Sequence, residues 1–416
     1  MSDEALRQAA LAYHAMPRPG KIGTHVFKPA ESSRDLALAY SPGVAEPVLA
    51  IAADPEAAYE YTNKGNLIGI VTDGSAILGL GNLGALASKP VMEGKALLFK
   101  RFADLDCVDI EIDAETAESF IDTVARIADS FGGINIEDVG APQCFAIEEA
   151  LRARCKVPVF HDDQHGTAIC VVAGLLNALE LQGKRLNEAK IVCLGSGAAG
   201  TATLRLLRSM GVPVANMTAV DRQGVIHAGR DNLPDYKAEF ANESRHRTLA
   251  DALRGADVFI GVSAAGLLDA ELLRSMAPRP VIFALANPEP EVRPSAARAI
   301  RDDVIVATGR SDFPNQVNNV LCFPFIFRGA LDVRAHAITE EMKIAAAHAI
   351  ANLTKEAVPE EVIKAYPDVT GLTFGPEYIL PKPMDPRLRE VVASAVAKAA
   401  IASGVAGKAY PSHYLK

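Results

Sequence analysis

Apolar and polar positions along the chain alternate with two periods, and the segments they mark succeed one another as helix and strand. Residues 2–16 read as a short helix that stops at Met16-Pro17-Arg18-Pro19-Gly20, because proline removes a backbone donor and clashes with the preceding turn. Ser41-Pro42-Gly43 reads as a turn into a helix over 41–52, with proline near its first position. Asn66 to Thr72 is a β-branched run closed by Asp73-Gly74, the pattern of a strand and turn. A helix over Lys89–Phe102, a strand over Val108–Ile112 and a helix over Glu115–Phe131 follow.

The style changes after about residue 160. A long apolar helix over Thr167–Leu181 leads to a strand at Ile191–Leu194, a helix at Thr201–Met210 and a strand at Thr218–Val220. Further strands are expected at Val258–Ile260, Val281–Phe283 and Val304–Val306, with helical segments between them. Strands that alternate with helices predict parallel βαβ units. Prolines 376, 381, 383 and 386 mark a loop before a last helix at about 387–403. The expected fold is α/β. It comprises an N-terminal α/β domain over 1–160, a Rossmann-type, doubly wound parallel-sheet domain over 161–386, and a helical tail over 387–416 that returns toward the first half.

Composition narrows the function classes. At 416 residues, 49% of them hydrophobic, the chain can build two or three cores. A formal net charge of -9 with no basic stripe excludes a nucleic-acid partner. No apolar run approaches the ~20 residues that span a bilayer, so no membrane partner is expected. Asp3 and Glu4, with no apolar segment after them, argue against a secretory signal. None of the six cysteines forms a CxxC pair, which fits free thiols in the reducing cytoplasm.

Two features carry chemistry. Gly195-Ser196-Gly197-Ala198-Ala199-Gly200 matches GxGxxG, follows a strand, opens a helix and precedes Asp221 at the next strand end. The glycines allow a tight turn, and the helix N-terminus presents donors to a pyrophosphate. Asp221 favours the ribose hydroxyls of NAD; Arg222 beside it favours the 2′-phosphate of NADP, which is placed first. The second feature is a pair of acidic clusters, Ile134-Asn135-Ile136-Glu137-Asp138 and Phe160-His161-Asp162-Asp163-Gln164-His165-Gly166-Thr167, each after an apolar strand-like run. Carboxylates converging from strand ends, without sulfur ligands, suit Mg²⁺ or Mn²⁺. Helix capping by Asp162 or Asp163 is the bland alternative. His161 and His165 lie four apart, but without HExxH or a third histidine they do not make a zinc site.

Tyr40-Ser41-Pro42-Gly43-Val44-Ala45, Met92-Glu93-Gly94-Lys95, Ile136-Glu137-Asp138 and Phe160 to Thr167 resemble, in order, the successive signatures of malic enzymes. Asn287-Pro288 and Asn318-Asn319 resemble later ones, so the likeness covers about residues 15 to 390. It implies oxidative decarboxylation of L-malate to pyruvate and carbon dioxide with reduction of NAD(P). By that likeness Lys95 is the base for the malate hydroxyl and Tyr40 the acid that protonates the enolate. Glu137, Asp138 and Asp163 would hold the metal, Asp162 would orient Lys95 or the metal site, and Asn287 and Asn319 would contact substrate or nicotinamide. A homodimer is expected on the same ground. The larger eukaryotic members carry an arginine where Ala76 stands. Arg18, Lys28, Arg34 and Lys64 therefore remain open as the cation for the second substrate carboxylate. A metal-dependent oxaloacetate decarboxylase, another NAD(P)-dependent hydroxy-acid dehydrogenase, an amino-acid dehydrogenase and a non-catalytic nucleotide sensor are the alternatives.

Overall fold

The computed structural model describes residues 3–369 and 371–415. Two parallel sheets organise it. The first contains β1 (Leu67–Thr72), β2 (Asp106–Glu111), β3 (Gly133–Ile136) and β4 (Val159–His161), in the order β2-β1-β3-β4. The second contains β5 (Ile191–Leu194), β6 (Met217–Asp221), β7 (Gly224–Val225), β8 (Val258–Gly261), β9 (Val281–Ala284) and β10 (Ile305–Thr308), in the order β10-β9-β8-β5-β6-β7. All pairs are parallel except β6–β7. The order reverses around β5, which is the topological switch point where open α/β sheets bind ligands.

Most strands lie where the apolar runs place them, because they are buried on both faces and so read as near-continuous Val, Ile and Leu; the half-buried β2, expected over Val108–Ile112, spans Asp106–Glu111 instead. The helix boundaries differ more. The helix expected over Thr167–Leu181 begins five residues earlier, at Asp162, and has 20 residues. The helix expected over Thr201–Met210 spans Ala198–Ser209 and includes part of the glycine motif. The Ser41-Pro42-Gly43 turn leads into a helix as expected, and that helix spans Ala45–Ala53.

The helix Asp162–Leu181 is the spine between the sheets. Its buried residues, Ile169 to Leu175 among them, join one apolar core with Ile68, Phe99, Ile191 and Phe283. Two helices beyond the second sheet, Phe323–Asp332 and Glu340–Leu353, return to the first. Phe327 packs edge-on against Phe99 and Phe160, at centroid distances of 5.5 and 5.8 Å. The last helix, Arg387–Ala402, lies across these two and closes the same core through Leu388, Val392 and Val396.

That closure depends on one small residue. A methyl added at Gly329 would lie 2.4 Å from the Ala393 carbonyl oxygen and 2.8 Å from Val396 Cβ. Gly329→Val is expected to destabilise the protein by about 1–3 kcal/mol through overpacking. Urea unfolding checks it; an unchanged midpoint would mean that the two helices can part without cost.

Candidate active site

The site forms at the carboxyl ends of β1, β3 and β4. Parallel register sets Ile136 beside His161, so the chain leaves the two strands side by side. Glu137 and Asp138 emerge from one, Asp162 and Asp163 from the other. Asp138 adopts a left-handed backbone (φ 54°), and its N–H donates to Asp163 Oδ2 at 2.8 Å. Asp162 and Asp163 occupy the first helical turn, where acidic side chains meet the positive end of the helix dipole. Neither caps the helix: the N-cap is His161, and no side chain fills that role. The capping alternative is thus replaced by a tertiary one.

Lys95 reaches into this group from the helix Ala85–Ala103. It is 7% exposed, and its ammonium lies 2.9 Å from Glu137 Oε1 and 2.7 Å from Asp162 Oδ2. The Phe323 ring closes the remaining side, with its centroid 4.2 Å away. Burial works to lower the lysine pKa, but the charges of Asp162, Glu137 and Asp163 outweigh it and hold the proton more tightly than in water. The acids respond in kind. Burial and neighbouring carboxylates push Glu137 well up, against the pull of Lys95. Burial and Asp163 raise Asp138 to about 7. Burial likewise raises Asp162, again against Lys95.

Further residues fix this geometry. Asn319 Nδ2 donates to Asp162 Oδ2 at 2.5 Å, and Asn135 Nδ2 donates to Glu137 Oε2 at 2.9 Å. A methyl at Gly166 would lie 1.9 Å from Asp162 Oδ1, so the carboxylate folds back over a position that only glycine leaves open. Sequence reasoning missed Asn135 and Gly166. The i, i+2 spacing of Asn135 and Glu137, which puts both on one face of the strand, is the signal that points to the asparagine.

One oxygen from each of Glu137, Asp138 and Asp163 lies within 4.8 Å of the others. Asp138 Oδ2 is buried with no hydrogen-bond donor among the described residues. Four carboxyl groups face one ammonium here, and the oxygens of Glu137, Asp138 and Asp163 form a hard donor set that a divalent cation fits. The histidines serve otherwise. His165 Nε2 meets the Glu148 carboxylate at 2.8 and 2.9 Å, and Lys343 approaches its Nδ1 at 3.2 Å. His161 Nε2 lies 3.3 Å from the Val139 carbonyl.

The glycine motif turns from β5 into the helix Ala198–Ser209. Gly195 has φ 113°, and a Cβ there would strike the Val262 carbonyl at 2.7 Å. Gly200 allows close packing, since a Cβ would lie 1.9 Å from the Gly195 oxygen. Ser196, Gly197, Ala198 and Ala199 complete the turn, which presents a helix N-terminus free of any side-chain cap. Asp221 ends β6, but its carboxylate is occupied: Arg230 binds both oxygens at 3.0 and 3.1 Å, and Lys237 lies at 2.7 Å. These bonds overcome burial and hold Asp221 at about 2. Arg222 is exposed. Asn287 is exposed on the loop after β9, with its backbone against Gly79 of the first domain.

Tyr40 stands apart from the cluster. It ends the helix Ser33–Ala39 and is 75% exposed. Arg18, Lys28 and Arg34 are also exposed. Lys64 donates to the carbonyls of Asp129 and Phe131, at the end of the sheet where β3 begins. It is therefore withdrawn from the role of substrate cation, because the carboxylate cluster lies at the opposite end of that strand.

Removing the ammonium tests the charge balance. Lys95→Ala leaves Glu137 and Asp162 buried together, and breaking such a pair costs about 3–5 kcal/mol. A carboxyl group whose folded pKa is raised stabilises the fold below its unfolded value and loses that contribution as pH rises through the folded one. The deficit of the variant is therefore expected to be larger at about pH 8 than at about pH 5.5, in urea unfolding without divalent cations. Equal deficits at both values would contradict the charge balance.

Residues 19–152 match the family model for the malic enzyme N-terminal domain, and residues 164–373 match that for the malic enzyme NAD binding domain. The chain is 62% identical over 411 residues to an NADP-dependent malic enzyme of Halomonas elongata, covering 99% of this chain and 97% of that one. It is 56% identical over 400 residues to an NAD-dependent malic enzyme of Rhizobium meliloti. That match covers 96% of this chain and 52% of the other, so the present chain spans about half of that longer protein. The malic enzyme structure of Pyrococcus horikoshii superposes with a TM-score of 0.90 at 44% identity, covering 99% of this chain and 94% of that one. The ordered motifs, the two sheets and these matches agree: the chain belongs to the malic enzyme family.

Proposed function

We propose that this chain converts L-malate to pyruvate and carbon dioxide in the cytoplasm, using NADP in preference to NAD and Mg²⁺ or Mn²⁺ held by Glu137, Asp138 and Asp163. The observation that carries the reading is the buried Lys95 ammonium, which touches Glu137 and Asp162 beside the three clustered acids. A nicotinamide bound at the glycine motif would supply the hydride acceptor, and a divalent cation held by Glu137, Asp138 and Asp163 would supply Lewis-acid chemistry.

The chain's own groups manage the protons. Lys95 takes the proton of the C2 hydroxyl. For that it must reach the neutral amine, and the acids that hold its proton are the same ones a cation would neutralise. Asp162, fixed by Asn319, holds the lysine in line. Tyr40 returns a proton to C3 of the enolate after carbon dioxide leaves. Asn287 and Asn319 contact the substrate or the nicotinamide.

The preference for NADP follows from Asp221. Its oxygens are taken by Arg230 and Lys237, so the ribose hydroxyls of NAD lose their acceptor. Arg222, Arg230 and Lys237 together gather positive charge where a 2′-phosphate would lie.

Absorbance of the reduced nicotinamide, followed with malate and Mn²⁺, tests the reading. Wild type is expected to form reduced cofactor and pyruvate only with the cation present. Lys95→Ala is expected to lose at least ~100-fold in kcat, the usual contribution of a general base. An unchanged rate would remove Lys95 from the mechanism. Arg230→Ala and Lys237→Ala are each expected to lower kcat/KM for NADP about tenfold or more, equivalent to one charge-assisted contact, while the value for NAD changes little. Parallel losses for both cofactors would overturn the assignment of the 2′-phosphate seat.

A further inference from the structure

The first turn of the helix Asp162–Leu181 carries Asp162 and the candidate ligand Asp163, and no side chain caps it. A small hard cation tolerates little error in its oxygen ligands, so the placement of that turn matters. Asp162 is tied to Lys95 and Asn319. The two residues after Asp163 are tied elsewhere. Gln164 Nε2 donates to Glu148 Oε2 at 3.1 Å, and His165 Nε2 meets both oxygens of the same carboxylate at 2.8 and 2.9 Å. Glu148 lies on the helix Gln143–Arg154, which begins five residues after Asp138. Its carboxylate therefore spans the two segments that supply the acids: its own helix follows Glu137 and Asp138, and its partners follow Asp162 and Asp163.

The bonds fix one tautomer. Lys343, on the helix Glu340–Leu353, places its ammonium 3.2 Å from His165 Nδ1. An ammonium only donates, so Nδ1 accepts and the ring proton stands on Nε2, aimed at Glu148. Lys343 is also paired with Glu340. The result is a directed relay across three helices, from Lys343 to His165 to Glu148, with Gln164 as a second donor to its end. Glu148 is 6% exposed, Gln164 1% and Lys343 3%. A buried network of this kind holds its members in one arrangement when every donor finds an acceptor.

The relay stands behind the reacting centre. Glu148, Gln164, His165 and Lys343 line a separate cleft of about 540 Å³, whose walls include Arg152 and His336 but none of Lys95, Glu137, Asp138 and Asp163. We propose that Glu148 is a positioning residue for the divalent cation: by holding Gln164 and His165 it sets the distance between Asp163 and Asp138, and so the shape of the ligand set. The inference rests on the reading of Glu137, Asp138 and Asp163 as the cation's ligands. Glu148 acts on that set through the first turn of the helix and touches neither the substrate nor the cation.

Mn²⁺ binding to the full chain without substrate, read from the paramagnetic resonance signal of the free ion, tests this apart from catalysis. Glu148→Gln keeps the size of the side chain but sets an amide N–H₂ where one of the two donors needs an acceptor. Its Kd for Mn²⁺ is expected to rise ~10-fold or more, as when groups behind a metal's ligands are removed, while its affinity for NADP stays that of the wild type. In steady state the Mn²⁺ concentration for half-maximal rate is expected to rise by the same factor, and kcat at saturating Mn²⁺ to fall less. Gly329→Val, destabilised at the last helix, is expected to bind Mn²⁺ as the wild type does. An unchanged Mn²⁺ Kd in Glu148→Gln overturns the proposal, and so does an equal loss in both variants, which marks general loosening. Wild type that takes up no Mn²⁺, or takes it up equally well after Asp163→Asn, overturns the reading of the three acids and the proposal with it, which keeps the two failures distinct. Where Glu148→Gln does not fold, Lys343→Met, which frees Nδ1 and lets the ring proton leave Nε2, is expected to weaken Mn²⁺ in the same direction, and an unchanged Kd there overturns the proposal.

Discussion

One buried ammonium holds the functional half of this molecule together. Taking Lys95 out of water costs several kcal/mol on the order expected for any ion moved into a protein, and only close carboxylates can offset that. They arrive from two strand ends that parallel register aligns, at Ile136 and His161. A later segment contributes the amide of Asn319, which binds Asp162. The first sheet, the spine helix and the chain beyond the second sheet therefore meet at one charge. The balance is incomplete, since the acids outnumber the lysine.

The second sheet obeys a different constraint, set by space rather than charge. Gly195 and Gly200 let backbone approach backbone at distances that a methyl group forbids. The same economy recurs at Gly166 beneath Asp162 and at Gly329 beneath the last helix. At the helical positions Gly166, Gly200 and Gly329 the helix gives up the ~1 kcal/mol that alanine would add in exchange for proximity.

Much of this was legible in the sequence, because the strands are buried on both faces and their apolar runs are continuous. The positions of β5, β8, β9 and β10 follow directly from those runs. The acidic clusters were legible as strand-end groups, and Lys95 only through its place among ordered motifs. The start of the spine helix was not. Asp162 and Asp163 resemble capping residues, and nothing local reveals that the Asp162 carboxylate turns to a lysine 67 positions earlier and an asparagine 157 later, or that Asp163 accepts from the backbone of Asp138. The occupation of Asp221 by Arg230 and Lys237 was hidden for the same reason: it depends on how the segment after β7 folds back. The helices Phe323–Asp332 and Glu340–Leu353 carry no strand-helix alternation, so no periodic signal announces that they return to the first sheet.

The helix Asp162–Leu181 behaves mechanically as a lever. Its 20 residues span about 30 Å at 1.5 Å per residue. One end holds an acid of the candidate metal cluster, and its flank is packed in the same apolar core as the helix that begins with the glycine motif. If the second sheet rocks by about 2° around the far end, the first turn moves by about 1 Å. That is comparable to the difference between a bound and a broken ligand contact. A nucleotide that rocked the second sheet would therefore also displace the acid at the near end of this helix, with no loop needed to relay it.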